Sequence, residues 1–472
     1  MTKIRTRIAP APSGRLHLGT AHTALFNYLF TRHNHGQFIL RIDDSDAKRS
    51  KKEFEKDILE GLKWLGIEWD EGPDIGGPYG PYLQSQRFDH YQPYLEKLLQ
   101  SGDAYKCFCT REELAKERQE MFSKKLPPKY SGKCRHLTEE QKKAFIKEGR
   151  KPVIRFKVEP QIIAFNDPTH GIIKVNSETI GDFVLARSDS TPLLVFTTTI
   201  DDIEMKITHT IRGEDFMNLV PKQILIFKAL RIQPPIFGHL QFIYGPDGGK
   251  LSKRHGAKSV LEFKEEGYLP GALLTFLAYL SWSYKDNSQL LTKSELIKLF
   301  DISHIQTGKP TFDLQKLNYF NAKLIRQTSL KSLLQLIKPF LKYKLPEEKL
   351  IKIIPLIQER LIKLADINDL IEYFVILPKV DPKALLAESK LSPAETIKYL
   401  QAVIQVLEVT KDLETDLHQL QQQLNLSPRQ AFMTLRLAVA GRPATPPLFD
   451  VLSILGKNEV VKRLTYVQKT LG

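Results

Sequence analysis

The first 44 residues constrain the fold most, because they alternate the hydrophobic period of a strand with that of a helix. Residues 3–8, KIRTRI, alternate apolar and polar side chains as a strand does. From Thr20 the run TAHTALFNYLFTRHN has apolar residues at helical spacing, with Thr20 as a suitable N-cap. QFILRIDD at 37–44 again has strand character. Strand, helix and strand in this order predict a βαβ unit, and therefore an α/β domain with a parallel sheet.

The turn inside this unit, APAPSGRLHLGT at residues 9–20, has features of a phosphate-binding junction. A helix that follows directly on a parallel strand presents free backbone N–H groups and the positive end of its dipole. Gly14 and Gly19 would let a ligand approach the backbone closely, and His17 could donate a hydrogen bond to a phosphate oxygen. The stretch matches neither the Walker A nor the dinucleotide-binding fingerprint. Alone, it leaves an ordinary structural turn as an alternative.

Length and charge narrow the class of protein. A chain of 472 residues predicts about three domains. Lys and Arg number 69 against 54 Asp and Glu, a net charge of +15, which indicates a polyanionic partner or simply a basic surface. No apolar run is long enough for a membrane span, and the N-terminus lacks the apolar centre of a secretory signal. We therefore expect a cytoplasmic protein without a membrane partner.

The character of the sequence changes along the chain. β-like runs such as PVIRFKV and GIIKVN suggest an α+β insertion that interrupts the sheet domain, and strand-like segments return at 193–213. Beyond about residue 265, Leu- and Lys-rich amphipathic segments predict an all-helical region. The expected divisions are 1–106 and 191–265 for the sheet domain, 107–190 for the insertion, and 266–328 and 329–472 for the helical regions.

A second candidate for phosphate chemistry is the Gly-rich loop GPDGGKLSKRHG at residues 245–256. Lys250 and Lys253 flank Ser252, and lysine is a compact charge suited to a developing pyrophosphate. An exposed basic loop is the alternative.

The three cysteines suggest a metal site. An odd, clustered set without a secretion signal argues against a disulfide framework. Cys107-x-Cys109 and Cys134-x-His136 offer three sulfurs and one imidazole, which suits a closed tetrahedral zinc site. Cys-x-Cys is tighter than the usual spacing, so buried cysteines beside a surface histidine remain the alternative.

The two lysine- and histidine-bearing motifs occur together in a known family. HLGT after the first strand and KLSKR after a late one resemble the HIGH and KMSKS signatures of class I aminoacyl-tRNA synthetases. Further segments are similar, in order and spacing, to bacterial glutamyl-tRNA synthetases, and the similarity covers essentially the whole chain. These segments are TRIAPAPSGRLHLGTAHTALFNYLF, ILRIDDSD, LKWLGIEWDEGP, ITHTIRGEDF, KLSKRHGAKSV and PLFDVLSILGKNEVVKRL.

The resemblance implies ATP-dependent ligation of L-glutamate to tRNA-Glu through a glutamyl-adenylate, with Mg²⁺ accompanying ATP. It implies a Rossmann-type catalytic domain, an acceptor-binding insertion and an all-α anticodon-binding half. It places His17, Lys250 and Lys253 in catalysis. The residues that it places against ATP are Ala9, Pro10, Gly14, His17, Gly19, Thr20, Asp215, Lys250, Leu251, Ser252 and Lys253. The cysteine pattern is that of the zinc-bearing subset, so the resemblance implies one structural Zn²⁺ on Cys107, Cys109, Cys134 and His136.

The glutamate pocket departs from the family pattern. Arg7 and Arg212 match the arginines that attend the substrate carboxylates, and Asp43 takes the place of an acidic residue that holds the ammonium group. Ala11 replaces a serine, and the family's tyrosine and asparagine align with Leu194 and Thr198. Loss of such contacts could cost selectivity, at roughly 1.5–3 kcal/mol for each hydrogen bond to a charged group. The pocket is therefore either rebuilt or that of a paralogue with altered amino-acid or tRNA specificity.

Other functions are weighed against this one. Glutaminyl-tRNA synthetase shares the catalytic half and an acidic segment like RIDDSD, but its C-terminal region is β-barrel. The shorter tRNA-modifying paralogue ends after the catalytic domain. A non-catalytic tRNA-binding protein would keep the basic surface and could lose the ATP site. Whether tRNA-Gln is also charged is left open, with Arg360 as a candidate anticodon reader or an ordinary helix-surface arginine. A monomer is expected.

Overall fold

A computed structural model of the chain describes residues 3–46, 48–126, 128–256 and 258–472, without the side chain of Lys253. The strands are β1 Arg5–Ile8, β2 Gln37–Leu40, β3 Ala104–Cys107, β4 Val153–Phe156, β5 Ile162–Asp167, β6 Gly171–Asn176, β7 Val184–Ala186, β8 His209–Gly213 and β9 Ile236–Leu240. The helices of the N-terminal part are α1 Leu18–His33, α2 Lys52–Trp64, α3 Phe88–Gln100, α4 Arg111–Ser123, α5 Glu139–Lys147, α6 Leu194–Glu204, α7 Val220–Ala229, α8 Val260–Glu265, α9 Pro270–Ser281 and α10 Lys293–Leu299. The remaining helices are α11 Leu314–Gln327, α12 Leu330–Ile337, α13 Glu347–Ile357, α14 Ile367–Val375, α15 Pro382–Ser389, α16 Pro393–Val409, α17 Leu413–Gln423, α18 Pro428–Ala440, α19 Leu448–Leu455 and α20 Lys457–Leu471.

Two parallel strand pairs form the centre of the N-terminal part. β1 pairs with β2, and β8 pairs with β9, with Arg212 beside His239. The pairs are tied together where the Thr208 amide, directly before β8, donates to the Arg5 carbonyl at 2.9 Å. The apolar side of α1 is buried, including Leu25 and Leu29. The predicted α/β class with a parallel sheet is confirmed.

Helix α1 begins three residues earlier than predicted. Its N-cap is His17, not Thr20, and the His17 ring accepts a hydrogen bond from the Thr20 amide at 3.2 Å. An imidazole nitrogen therefore caps the helix in place of the predicted threonine hydroxyl, since any acceptor that reaches a free first-turn N–H can cap a helix.

The segment at 107–190 contains the strands and helices of an α+β region. β4 pairs antiparallel with β3 and with β7, while β5 and β6 form a separate hairpin. Helices α4 and α5 each begin with a capping box, at Thr110 and Thr138.

The strand prediction for 193–213 is wrong over its first half, because residues 194–204 form helix α6. Thr198 and Thr199 donate their hydroxyls to the carbonyls of Leu194 and Val195, one turn earlier. The β-branched run misled the prediction, since threonine hydroxyls can be satisfied inside a helix and burial overrides intrinsic propensity. Only 209–213 is a strand.

The chain divides into two compact units. The first comprises residues up to Glu265 together with Pro270–Leu317, and the second comprises Glu266–Leu269 with Asn318–Gly472. The division falls inside α11, whereas the sequence predicts a boundary after residue 328. The second unit contains only helices among its regular elements within the described ranges, packed around a leucine- and isoleucine-rich core. Across the part of the chain that the structure describes, no helix combines the length and apolarity of a membrane span.

Candidate active site

The turn at residues 9–20 presents its polar groups beside the end of β1. The ring of His17 lies over Gly19, where an added Cβ would come within 3.2 Å of Nδ1. At Gly14 an added Cβ would meet nothing within 4 Å. The Pro10 carbonyl accepts from the Asp43 amide at 3.0 Å, which ties the turn to the end of β2. The Pro10 carbonyl thus ties the turn to the sheet, while the space beside Gly14 allows a ligand to approach the backbone, as a nucleotide-binding turn requires.

The KLSKR loop is the end of a hairpin that starts after β9. The Leu251 amide donates to the Ile243 carbonyl at 2.9 Å, and the Gly245 amide donates to the Gly249 carbonyl at 2.7 Å. Lys250 stands over the ring of Phe242, with Nζ 3.7 Å from the ring centre. The side chain of Lys253 lies outside the described residues, and its backbone belongs to a short 3₁₀ turn, Lys253–His255.

A relay of side chains fixes the shape of this loop. His255 Nδ1 accepts from the Ser252 amide at 3.2 Å, and its Nε2 lies 2.9 Å from the Asp247 carboxylate. Arg254 also donates to Asp247, at 2.8 Å. The His255 ring occupies the space beside Gly245 that a Cβ would need. His255 therefore positions Ser252. The His255 ring is in turn held by the Asp247 carboxylate and fits in the space beside Gly245.

The turn and the loop meet at one place. The backbone of His17 pairs antiparallel with that of Ser259, three residues beyond the loop. The Val260 amide donates to the Leu16 carbonyl at 2.9 Å. Although the outer face of the His17 ring is exposed, surrounding protein lowers its pKa, the nearby Lys250 lowers it further, and Asp215 opposes the shift. Two motifs more than 200 residues apart in sequence, together with Asp215, thus converge around a neutral imidazole.

Arg7 belongs to a buried network of charged side chains in the same unit. Its Nε and Nη2 each donate to Asp202, at 3.1 Å, and Arg41 Nη1 donates to the same carboxylate at 3.1 Å. Arg41 Nε also donates to Asp43 at 2.7 Å. Burial raises the pKa of Asp43, whereas at Asp202 the Arg7 and Arg41 charges outweigh burial and lower the pKa. Arg7 and Asp43 are thus held in fixed positions by shared partners.

Arg212 is a buried cation with a different environment. Its Nη2 donates to Gln223 at 2.7 Å, and Gln223 donates to Thr198 at 3.2 Å. Among the described residues no carboxylate forms an ion pair with it, and its Nε has no hydrogen-bond partner. Burial, and then repulsion by Arg7, lower the pKa of Arg212 to about 9. A buried guanidinium without an anion is a receptor for one.

Two of the predicted pocket residues offer no polar side chain. Ala11 is exposed in the turn, and Leu194 is 45% exposed at the start of α6. Sequence reasoning missed the residues that hold the pocket together, namely Arg41, Asp202 and Gln223. An adjacent pair of acidic residues inside an otherwise apolar run, TTTIDDIE, is the signal that could have identified Asp202, since buried carboxylates need cationic partners.

Comparison with known proteins follows the same division of the chain. The family of class I tRNA synthetases (E and Q), catalytic domain, matches residues 3–319, and an anticodon binding domain matches residues 332–468. The chain is 43% identical to glutamate–tRNA ligase 2 of Caldanaerobacter subterraneus subsp. tengcongensis, with 99% of each chain covered. It is 41% identical to the glutamate–tRNA ligase of Symbiobacterium thermophilum, with 98% of this chain and 99% of that one covered. The chain belongs to the glutamate–tRNA ligase family.

Structural comparison agrees with this family. The crystal structure of a glutamate tRNA ligase from Elizabethkingia meningosepticum, in complex with its amino acid, matches with a TM-score of 0.92 at 34% identity, over 100% of both chains. The prediction of a catalytic class I synthetase of this family is confirmed, and such enzymes use ATP with Mg²⁺.

The metal site predicted for the zinc-bearing ligases is formed only in part by the predicted residues. The Sγ atoms of Cys107, Cys109 and Cys134 lie within 4.8 Å of one another. His136 is exposed and is not among them. The hydroxyl of Tyr130 lies beside the thiols, at 3.4 Å from Cys107 Sγ and 3.3 Å from Cys109 Sγ. The structure therefore brings the three predicted thiols together without the imidazole of His136, whose role as a ligand stays a prediction.

The predicted anticodon residue lies in the second unit of the ligase. Arg360 Nη2 donates to the Thr445 carbonyl at 2.7 Å, and Arg436 donates to the same carbonyl at 3.1 Å. Burial, and then the nearby Arg360, lower the pKa of Arg436. The two neighbouring guanidinium groups thus donate to neutral carbonyl acceptors.

Proposed function

We propose that the chain ligates L-glutamate to the 3′ end of tRNA-Glu in two steps. The α-carboxylate of glutamate attacks the α-phosphorus of ATP, which forms glutamyl-adenylate and releases pyrophosphate. The terminal ribose hydroxyl of tRNA then attacks the adenylate carbonyl, which forms glutamyl-tRNA and releases AMP. The convergence of the HLGT turn and the KLSKR loop beside the arginines of the pocket carries this proposal.

The first step depends on charge stabilisation rather than on a covalent enzyme intermediate. His17 and Gly19 contact the nucleotide at the start of α1, where backbone N–H groups favour anions. Lys250, Ser252 and Lys253 attend the phosphates as negative charge moves to pyrophosphate. The other ATP contacts are Ala9, Pro10, Gly14, Thr20, Asp215 and Leu251. Mg²⁺ enters as part of the nucleotide substrate.

Glutamate recognition rests on the two arginines. Arg212 lacks a carboxylate partner in the described residues, and Arg7 is held by Asp202. These cations receive the substrate carboxylates, while Asp43 attracts the ammonium group. The same pocket is lined by Ala11, Leu194 and Thr198, whose side chains are smaller or apolar. Aminoacylation with glutamate and with glutamine measures the selectivity that results.

The remaining parts of the chain hold tRNA. Residues 107–190 bind the acceptor end, residues 266–328 contact the stem, and residues 329–472 bind the anticodon. The net charge of +15 supports a polyanionic partner, and the arginine pair at Arg360 and Arg436 supports an anticodon contact on the second unit. We propose a monomer in the cytoplasm, where tRNA is charged, and leave open the charging of tRNA-Gln.

One structural Zn²⁺ would be held by Cys107, Cys109 and Cys134. Zinc–sulfur bonds of about 2.3 Å place sulfurs on one tetrahedral zinc about 3.8 Å apart. Cys109 Sγ and Cys134 Sγ are 3.4 Å apart, so the cluster fits with little movement. The hydroxyl of Tyr130, at 3.4 Å and 3.3 Å from Cys107 Sγ and Cys109 Sγ, would be the nearest oxygen donor. When bound, the ion would tie β3 to the loop at 130–134 and stabilise the insertion.

Aminoacylation of purified tRNA-Glu and tRNA-Gln with labelled glutamate and glutamine tests the function. We expect glutamate on tRNA-Glu, abolished by Lys250→Ala and retained by Lys56→Ala, an exposed lysine paired only with Glu60 in the structure. Glutamate on both tRNAs would indicate a non-discriminating enzyme. Glutamine transfer, or no transfer of either amino acid, would contradict the proposal.

A further inference from the structure

Two unsatisfied polar atoms lie buried on adjacent strands of the catalytic unit. Within the described ranges, Nε2 of His239 and Nε of Arg212 have no hydrogen-bond partner, although both side chains are at least 94% buried. An unpaired buried polar atom costs roughly 1–3 kcal/mol, so a pair of them calls for a functional explanation.

The two side chains share one face of the sheet. Arg212 in β8 and His239 in β9 are direct partners in the parallel register. The Arg212 guanidinium lies 5.5 Å from the ring of Phe237. Phe237 and His239 are two residues apart in β9, and side chains at that spacing point to the same side of a strand. Arg212 and His239 therefore occupy the same layer.

The tautomer of His239 is set by Asp167. Its Nδ1 lies 2.6 Å from Asp167 Oδ2, so Nδ1 carries the proton that the carboxylate accepts. Burial and the nearby Arg212 outweigh the effect of Asp167 and lower the pKa of His239. The ring is neutral, and Nε2 is left with a lone pair and no proton. It is an acceptor, whereas Arg212 Nε is a donor.

We propose that Asp167 and His239 position Arg212 for the substrate carboxylate, by keeping a lone pair on His239 Nε2 in the layer that Arg212 Nε–H occupies. The two atoms are not hydrogen-bonded to each other in the structure, but a lone pair in this layer favours the guanidinium without neutralising it, whereas a carboxylate there would compete with the substrate. His239 and Asp167 are positioning residues, and they act through Arg212. The inference rests on the proposed role of Arg212 in glutamate binding.

The same contact connects the insertion to the amino-acid pocket. Asp167 ends β5 in the inserted segment, while His239 and Arg212 belong to the parallel strands. The hydroxyl oxygen of Thr169, two residues after Asp167, lies 2.7 Å from the His239 carbonyl oxygen. The part of the chain that we assign to the tRNA acceptor end therefore sets the tautomer of the histidine beside Arg212.

Asp167→Asn is a sharp test, because the structure dictates how the amide must sit. Oδ1 of Asp167 receives the Thr169 amide at 2.8 Å and the Thr169 hydroxyl at 2.6 Å. The asparagine oxygen will keep that place, and its NH₂ will face His239 Nδ1. The proton must then move to Nε2, which turns the acceptor into a donor towards Arg212. We expect the glutamate KM to rise about tenfold to a hundredfold, with the ATP KM within about twofold of wild type.

Thr169→Val is the matched control. It removes the hydroxyl that contacts both Asp167 Oδ1 and the backbone of His239, but it leaves the charge of Asp167 and the tautomer of His239 unchanged. We expect a lower thermal midpoint, as for Asp167→Asn, with an unchanged glutamate KM. An equal rise of the glutamate KM in both variants would show a merely structural role and overturn the inference.

His239→Leu provides a second route to the same answer. It removes the acceptor, so the glutamate KM should rise, and adding Asp167→Asn to it should raise the KM no further. Full additivity, or an unchanged glutamate KM in either single variant, would overturn the inference. Failure of the wild-type enzyme to form glutamyl-tRNA would instead contradict the proposed function, so the two failures are distinguishable.

Discussion

Asp202→Asn should destabilise the first unit and weaken glutamate binding together. Oδ1 of Asp202 accepts from both Arg7 and Arg41, whereas Oδ2 accepts only from Arg7 Nη2. The amide oxygen will therefore take the Oδ1 place, and the NH₂ will face Arg7 Nη2, donor against donor. The Asp202 side chain is 1% exposed, so solvent cannot compensate. Breaking such a buried pair costs about 3–5 kcal/mol.

The assay is thermal unfolding of the first unit combined with steady-state kinetics. A large domain shifts its midpoint by about 2 °C for each kcal/mol, so we expect a loss of about 6–10 °C. Because Asp202 has a lowered pKa in the folded protein, its stabilisation is present above the unfolded pKa of about 3.9 and is lost as the pH falls through the folded value. The difference between the proteins should therefore persist to about pH 4 and shrink below it.

Displacement of Arg7 should also raise the KM for glutamate and leave the KM for ATP nearly unchanged. Asp46→Asn is the control, since Asp46 pairs with Arg49 at the surface and the same chemical change there should alter neither quantity. A midpoint within about 2 °C of the parent, with an unchanged glutamate KM, would refute the reasoning that Asp202 holds Arg7 in place.

Three further substitutions test the loop and the metal site. Gly245→Ala should lower kcat without lowering the thermal midpoint, because the new Cβ would displace the His255 ring. An unchanged kcat would show that the hydrogen bonds of Ser252, His255 and Asp247 do not shape the loop. Lys253→Ala should lower kcat by about 10²–10³ with little change in ATP affinity, as for loss of one preorganised donor, and a fall in affinity alone would indicate ground-state binding. The purified protein should contain one equivalent of zinc by metal analysis, and Cys109→Ser should lose it and charge tRNA poorly; well under one equivalent in the wild type would contradict the metal site.

The features that sequence predicted correctly have local causes. The periods of β1 and α1 follow from side chains two or four residues apart, and the helical second unit follows from repeated amphipathic segments. The start of α1 was misplaced because the propensity rules favour Thr20 as a cap, whereas the His17 ring reaches the Thr20 amide. A local rule based on common residue types cannot detect a less common acceptor.

The features that sequence missed depend on distant partners. Arg7 and Asp202 are 195 residues apart, so no periodicity connects them. At the metal site, the rule for zinc ligands favours cysteine and histidine, and His136 satisfied it by spacing alone. Tyr130 lies four residues before Cys134, but only folding shows that its hydroxyl lies among the three thiols.

The smaller side chain at Thr198 does not leave the glutamate pocket without support. The Thr198 hydroxyl donates its proton to the Leu194 carbonyl at 2.7 Å. The lone pairs of the hydroxyl oxygen therefore remain available to accept from Gln223. Gln223 then presents its own oxygen to Arg212 at 2.7 Å. An asparagine at this position could reach a substrate directly, whereas the threonine acts one residue further back, through Gln223. Thr198 is therefore connected to Arg212 through Gln223, and a Thr198→Val change should disturb the position of Arg212 without removing any charge.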